Sequence, residues 1–132
     1  MEPFNLGLTL QGSVLNGKPI IDFWIETLGQ PVRALLDTGA TQYSIQQELA
    51  NLLNLEKTNT DNVGYLAISG PIEVNVYKME FRLNGMMNFR FTDEFHSMPF
   101  NFVYQIIIGT DFLKRCKLFH IDYQIQKWTI EL

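Results

Sequence analysis

The sequence predicts a mostly β fold with one or two short helices, and three observations carry that prediction. Apolar and alternating runs are short, of strand length rather than helix length. Turn signals punctuate them: Asn16-Gly17 and Asn84-Gly85 favour tight hairpins, while Gly29-Gln30-Pro31 and Ser69-Gly70-Pro71 favour further bends. Before the last third of the chain, only Ser44 to Leu53 carries a helical period.

In chain order, Thr9 to Leu15 reads as a strand that turns at Asn16-Gly17 into a returning strand from Ile20 to Leu28. Val32 to Leu36 is the next strand, and it runs straight into Asp37-Thr38-Gly39. Ile45, Leu49, Leu52 and Leu53 mark one face of a helix, for which Ser44 and Gln47 supply a capping box. Asn54 to Asn62 is polar and reads as a loop. Val63 to Leu83 reads as a long hairpin, with Val63 to Ile68 outward and Ile72, Val74 and Val76 alternating with Glu73, Asn75 and Tyr77 on the return. Phe89, Phe91 and Phe95 place core-filling aromatics on a strand and its exit, and Met98-Pro99-Phe100 opens an irregular loop. Gln105 to Gly109 is a continuous apolar strand, after which Thr110 or Asp111 is expected to cap a short helix reaching Lys117. His120 to Tyr123 and Lys127 to Leu132 form a terminal hairpin. No linker or low-complexity tract interrupts the chain, so residues 1–132 are expected to form one domain.

Composition narrows the function classes. A chain of 132 residues, 46% hydrophobic and with ten Phe, has the means to bury one core and is not a disordered segment. A net charge of −4 with scattered basic residues argues against a nucleic-acid partner, and Lys114, Arg115 and Lys117 are expected to be a solvated face. Cys116 is the single cysteine, which rules out an internal disulfide and a cysteine-based zinc site. His96 and His120 stand alone and are expected to be structural or surface residues, so no metal or other cofactor is expected. No apolar run approaches the roughly 20 residues of a membrane span, and Met1 to Asn5 lacks the features of a secretory signal. No membrane partner is expected, and an intracellular location is.

The chemistry concentrates at Asp37. A carboxylate at the mouth of a buried strand loses hydration, so it needs hydrogen-bond donors or a catalytic task. Gly39 allows close backbone approach, and Thr38 adds a hydroxyl that can be buried and paired.

Leu35-Leu36-Asp37-Thr38-Gly39-Ala40-Thr41, followed by Ile106-Ile107-Ile108-Gly109-Thr110-Asp111-Phe112-Leu113, resembles the retropepsin family. These are the aspartic proteases of retroviruses, pararetroviruses and LTR retrotransposons. The likeness covers essentially the whole chain, with the glycine-bearing hairpin falling between the two motifs. It implies a small closed β-barrel-like fold that works as a homodimer. Aspartic proteases need two carboxylates that share a proton, and Asp-Thr-Gly occurs once here. The resemblance therefore implies that Asp37 is catalytic and that a second copy of the chain, related by a C2 axis, supplies the other carboxylate.

The remaining roles are also those the resemblance implies. Thr38 would bond across the dimer, and Gly39 and Ala40 would support the active-site turn. Gly64, Tyr65, Leu66, Ala67, Ile68, Ser69 and Gly70 would form a flap over an extended polypeptide substrate, and Ile107, Ile108 and Gly109 would wall its pocket. The substrate would be a viral or retrotransposon polyprotein, in the host cytoplasm or a virus-like particle. Two positions depart from many retroviral members: Thr41 stands where an acidic residue is frequent, and Thr110 where an arginine is. The ion pair those residues form is not expected here. Two other readings compete: a catalytically silent dimerisation or protein-binding module on the same fold, and a generic β-barrel carrying the motif by chance.

Overall fold

In the computed structural model, which describes residues 2–64 and 70–132, Asn16 and Gly17 take φ of 52° and 75°. Two successive positive φ values are what a two-residue hairpin requires. The turn joins β1 (Thr9–Leu15) to β2 (Lys18–Trp24). The remaining elements follow as β3 (Pro31–Leu36), β4 (Tyr43–Gln46), α1 (Gln47–Leu52), β5 (Glu56–Val63), β6 (Ile72–Leu83), β7 (Phe91–Met98), β8 (Ile106–Ile108), α2 (Thr110–Leu113), β9 (Leu118–Asp122) and β10 (Lys127–Glu131).

The strands lie in the order β5-β6-β7-β4-β8-β3-β2-β1-β10-β9, with an additional pairing of β6 to β2. That pairing, Phe23 with Leu83 and Trp24 with Arg82, closes β2, β3, β8, β4, β7 and β6 into a barrel. The small closed β-barrel with two short helices is therefore the observed fold. Outside the ring, β5 hangs on β6, and β1, β10 and β9 continue from β2. Two pairs are parallel: β3 with β8, and β4 with β7.

Aromatic rings fill the barrel. Phe23 stacks on Phe81 at 4.6 Å between ring centroids, Phe81 stacks on Phe91 at 5.3 Å, and Tyr43 tilts against Phe95 at 4.8 Å. Such pairs stabilise beyond the area they bury. Outside the ring, Trp128 on β10 lies across its strand partner Gly12 on β1 and donates from Nε1 to the Ile20 carbonyl at 2.6 Å. A Cβ at Gly12 would collide with the Trp128 indole, so only glycine fits there.

Several expectations are corrected. The helix foreseen from Ser44 begins later: Tyr43 to Gln46 is a buried strand, Gln46 is the N-cap, and no side chain caps it. Ser44 pairs with Ile107 and His96 on the neighbouring strands, so its capping box does not form. Pairing on both sides outcompetes the local helical preference. The polar stretch read as a loop is mostly β5, an exposed strand whose ladder to β6 runs from Glu56 to Val63. The expected outward arm of the long hairpin thus begins at Glu56, and its continuation through Tyr65 to Ser69 lies outside the described residues.

β2 ends at Trp24, and Glu26–Leu28 is a 3-10 turn closing on Gly29. α2 is four residues long, and its N-cap is Gly109 rather than Thr110 or Asp111. Phe89 is 37% exposed and precedes β7, so it is not core. Arg115 is not freely solvated: its Nε donates to the Glu2 carbonyl at 3.0 Å and its guanidinium sits 4.0 Å from the Phe4 ring centre.

Candidate active site

The buried run Ala34-Leu35-Leu36 places Asp37 at the end of β3. Parallel pairing sets Leu36 beside Ile108, and the Asp37 N–H donates to the Ile108 carbonyl at 2.9 Å. The chain then turns sharply. Gly39 N–H donates to Asp37 Oδ1 at 2.8 Å, and Ala40 N–H to the Asp37 carbonyl at 3.3 Å. A backbone amide bond to a carboxylate oxygen fixes the orientation of the carboxylate. Glycine eases the close approach, since a Cβ at Gly39 would lie 3.2 Å from Asp37 Oδ1 and press on it.

A second glycine holds the turn from behind. Gly109 is buried under the loop after Asp37, and a Cβ on it would come within 2.6 Å of the Gln42 carbonyl oxygen and 2.7 Å of those of Ala40 and Thr41. With that space empty, Thr110 N–H reaches the Ala40 carbonyl at 2.8 Å and Asp111 N–H the Thr41 carbonyl at 2.9 Å. At Thr41 and Thr110, where the ion pair of many retroviral members is missing, backbone bonds tie the two loops together.

Asp37 opens onto a cavity of about 510 Å³, where it meets Ser44, Val63, Gly64, Phe100 and Ile107. It is the sole ionisable side chain among the described residues lining that space. The arrangement is one oriented carboxylate in an otherwise neutral, partly apolar cleft.

The foreseen site residues divide. Asp37, Gly39, Ala40, Gly64 and Ile107 come together around the cavity. Thr38 is exposed at the crest of the turn. Ile108 is fully buried and packs into the barrel core, and alternation along β8 turns it away from Ile107, which lines the cavity. Gly109 serves as the space beneath the turn rather than as a wall. Of the flap residues, Gly70 has φ of 83° at the start of the return arm, while Tyr65, Leu66, Ala67, Ile68 and Ser69 lie outside the described residues. Sequence reasoning missed Thr41, Gln42, Ser44, Asn62, Val63, Met98 and Phe100 as lining residues. Phe100, next to a proline in an apolar loop just ahead of β8, was the available signal.

Residues 24–115 match the family described as "gag-polyprotein putative aspartyl protease". Among solved structures, the chain is similar to a retropepsin-like aspartic protease from Rickettsia conorii, with a TM-score of 0.62 and 20% identity over 93% of this chain and 92% of that one. Identity that low speaks for the fold alone. No curated protein matches the chain.

Proposed function

Because the chain belongs to the family of gag-polyprotein aspartyl proteases, we propose that residues 1–132 are one catalytic domain of an aspartic endopeptidase, active as a C2 homodimer with Asp37 of each subunit in one dyad. The observation that carries this reading is the setting of Asp37: an oriented carboxylate, the single ionisable side chain among the described residues lining a cavity of about 510 Å³.

Two such carboxylates brought face to face cannot both ionise, so they share one proton and titrate as a pair. The ionised member takes a proton from a water molecule, whose oxygen attacks the scissile carbonyl carbon. The protonated member gives its proton to the carbonyl oxygen, producing a neutral tetrahedral diol. Collapse returns a hydroxyl proton to the dyad and delivers a proton to the amide nitrogen. The C–N bond then breaks, leaving an acid and an amine. No covalent enzyme intermediate forms. Gly39 N–H keeps Oδ1 in place, and the Thr38 hydroxyl, exposed in one chain, bonds across the dimer to stiffen both turns.

The substrate lies extended, its side chains alternating into pockets walled by Ile107, Met98 and Phe100. The segment from Gly64 to Gly70 closes over it and excludes water. The substrate is a polyprotein of a virus or retrotransposon, cut in the host cytoplasm or a virus-like particle; the gag polyprotein in the family's description supports the first part of this reading. Among the described residues, no helix is long and apolar enough to cross a membrane.

The test compares the chain with its Asp37→Asn variant on a peptide library and a denatured protein at acidic and neutral pH. Cleavage by the parent that pepstatin blocks and the variant lacks is expected. Equal cleavage by both, or none by either at any pH, would overturn the reading. Sedimentation tests the dyad separately: activity retained by a strictly monomeric chain would contradict it.

A further inference from the structure

Two serines, Ser44 and Ser97, are buried, at 7% and 5% exposure. Ser97 is accounted for, since its hydroxyl accepts from the Asn75 N–H at 3.0 Å. The Ser44 hydroxyl has no hydrogen-bond partner among the described residues. Its backbone lies between two strands, paired with His96 on β7 and Ile107 on β8. Tyr43 and Ile45, on either side of it, turn into the core, where Tyr43 also lines a second cleft of about 920 Å³ with Asp93 and Asp111. Alternation turns the Ser44 side chain the other way, into the Asp37 cavity. Once an occupant has displaced water from that cavity, only the occupant can pair this hydroxyl, and leaving it unpaired is costly.

Taking the Asp37 cavity as the substrate cleft, as the proposed function does, we propose that Ser44 determines specificity: its hydroxyl hydrogen-bonds the side-chain carboxamide of an asparagine or glutamine in the substrate.

Register places Ser44 near the proposed chemistry. Ile107 pairs with Leu35 on one side and Ser44 on the other, so the row Leu35-Ile107-Ser44 crosses three strands two residues short of Asp37. Ser44 and Ile107 lie opposite each other on an antiparallel pair, which sets their Cβ atoms about 5 Å apart on one face. Both line the cavity, together with Val63 and Met98. The subsite therefore has apolar walls and a hydroxyl at its buried end. That combination suits a short side chain with an apolar stem and a hydrogen-bonding tip.

A carboxamide fits that description best. The Ser44 hydroxyl both donates and accepts, and Gln42 brings a second donor and acceptor to the same cavity, its amide also without a partner among the described residues. A carboxamide carries a carbonyl and an NH2 and can answer both; a substrate hydroxyl has one oxygen to share between them. A leucine of the same shape would leave the Ser44 hydroxyl unpaired, which is how a hydrogen-bonding site rejects an apolar analogue. Charged side chains fit less well. Asp37 is the one ionisable side chain among the described residues lining the cavity, so a carboxylate would meet only a like charge. A cation would pair with the carboxylate that the proposed catalysis needs.

Two measurements test it. In a peptide library cut by the intact chain, asparagine or glutamine should be enriched at a fixed distance from the cut bond. On matched peptides kcat/KM should favour asparagine over leucine at that position by about ten-fold, the worth of one hydrogen bond. Ser44→Ala should bring the ratio to within about three-fold, and Ser44→Thr, which keeps the hydroxyl, should retain the preference. Ser44→Ala deletes only an unpartnered oxygen, so it should fold; a merely structural serine would lower both rates and leave their ratio alone. Amide NMR reads the same preference without cleavage. N-acetylasparagine methylamide should give saturable shifts at Ser44 and Gln42, with roughly millimolar affinity for so small a ligand, and N-acetylleucine methylamide should not. A chain that cuts no peptide yet shows this difference would overturn the endopeptidase reading and keep the subsite. No amide enrichment among cleaved peptides, no shift with the asparagine probe or equal shifts with both, or an unchanged preference in folded Ser44→Ala would overturn the proposal.

Discussion

Two loops of this chain are written in nearly mirrored letters. Asp37-Thr38-Gly39 follows β3, Gly109-Thr110-Asp111 follows β8, and the two strands lie side by side in parallel. Their fates are opposite. In the first, aspartate comes before the turn, so its carboxylate stays at the strand end, open to a cavity and braced by the Gly39 amide. In the second, glycine comes first and lets the chain pass under three carbonyls. Asp111 then falls in the first turn of α2, where its amide holds Thr41 and its side chain turns to the other cleft. Residue order, rather than composition, decides which aspartate opens onto the cavity at the strand end and which falls in the first turn of α2.

The largest effect that would break or confirm this contrast is catalytic. Asp37→Asn should lower peptide hydrolysis by about 10²–10⁴-fold or more while leaving the thermal melt near that of the parent. Asp111→Asn should leave kcat/KM within about three-fold, because its backbone makes the contact that matters. Comparable losses in both variants would erase the distinction.

Next comes stability at the two glycines. Gly109→Ala drives a methyl into backbone oxygens that cannot swing aside, and denaturant unfolding should show a loss of about 3 kcal/mol or more. Gly39→Ala meets one side-chain oxygen at 3.2 Å, so it should cost about 1 kcal/mol in the same measurement while depressing activity more than stability.

The third effect probes how closed the region behind α2 is. Burial pushes the Cys116 thiol up to about 12, so alkylation by iodoacetamide at pH 8 should run at least about a hundred-fold slower than for a free cysteine. Rapid labelling of the folded chain would show α2 to be open.

The smallest effect belongs to Asp93, which shares the cleft of Asp111. Burial raises its folded-state pKa, so the native chain holds that proton more tightly than the unfolded chain does. The contribution to stability is full below the ordinary aspartate pKa and is lost as pH rises through the raised value. Asp93→Asn should therefore be the more stable protein at pH 7, by less than about 1 kcal/mol once solvent screening is counted, with no advantage at pH 3. Paired thermal melts at the two pH values would show it.

Legibility followed the range of the interactions. The β1–β2 hairpin could be read because two neighbouring residues with positive φ specify it. Asp37 could be read because an apolar strand, a carboxylate and a glycine are adjacent in sequence. β5 could not be: seven of its eight side chains escape full burial, so no alternation marks it, and only the ladder to β6 makes it a strand. Ser44 misled because Ile45, Leu49 and Leu52 do fit a helix, while β7 and β8 claim the first of them for the sheet. The second cleft left no local trace, since its walls come from five elements and the turn beyond α2.

By itself, the sequence determined that this is a small, mostly β protein with one Asp-Thr-Gly turn at the end of a buried strand, and hence one such carboxylate per chain. Those properties depend on neighbours within a few residues, where sterics and hydrophobic period act directly. Only the tertiary structure decided that Phe23 meets Leu83 to close the barrel, that Gly109 lies beneath the Asp37 loop, and that Tyr43 and Ser44 face different cavities. Each of these depends on which strands pair, and in which register. A one-residue slip in β4 would exchange the two faces, and with them the residues that line the two cavities.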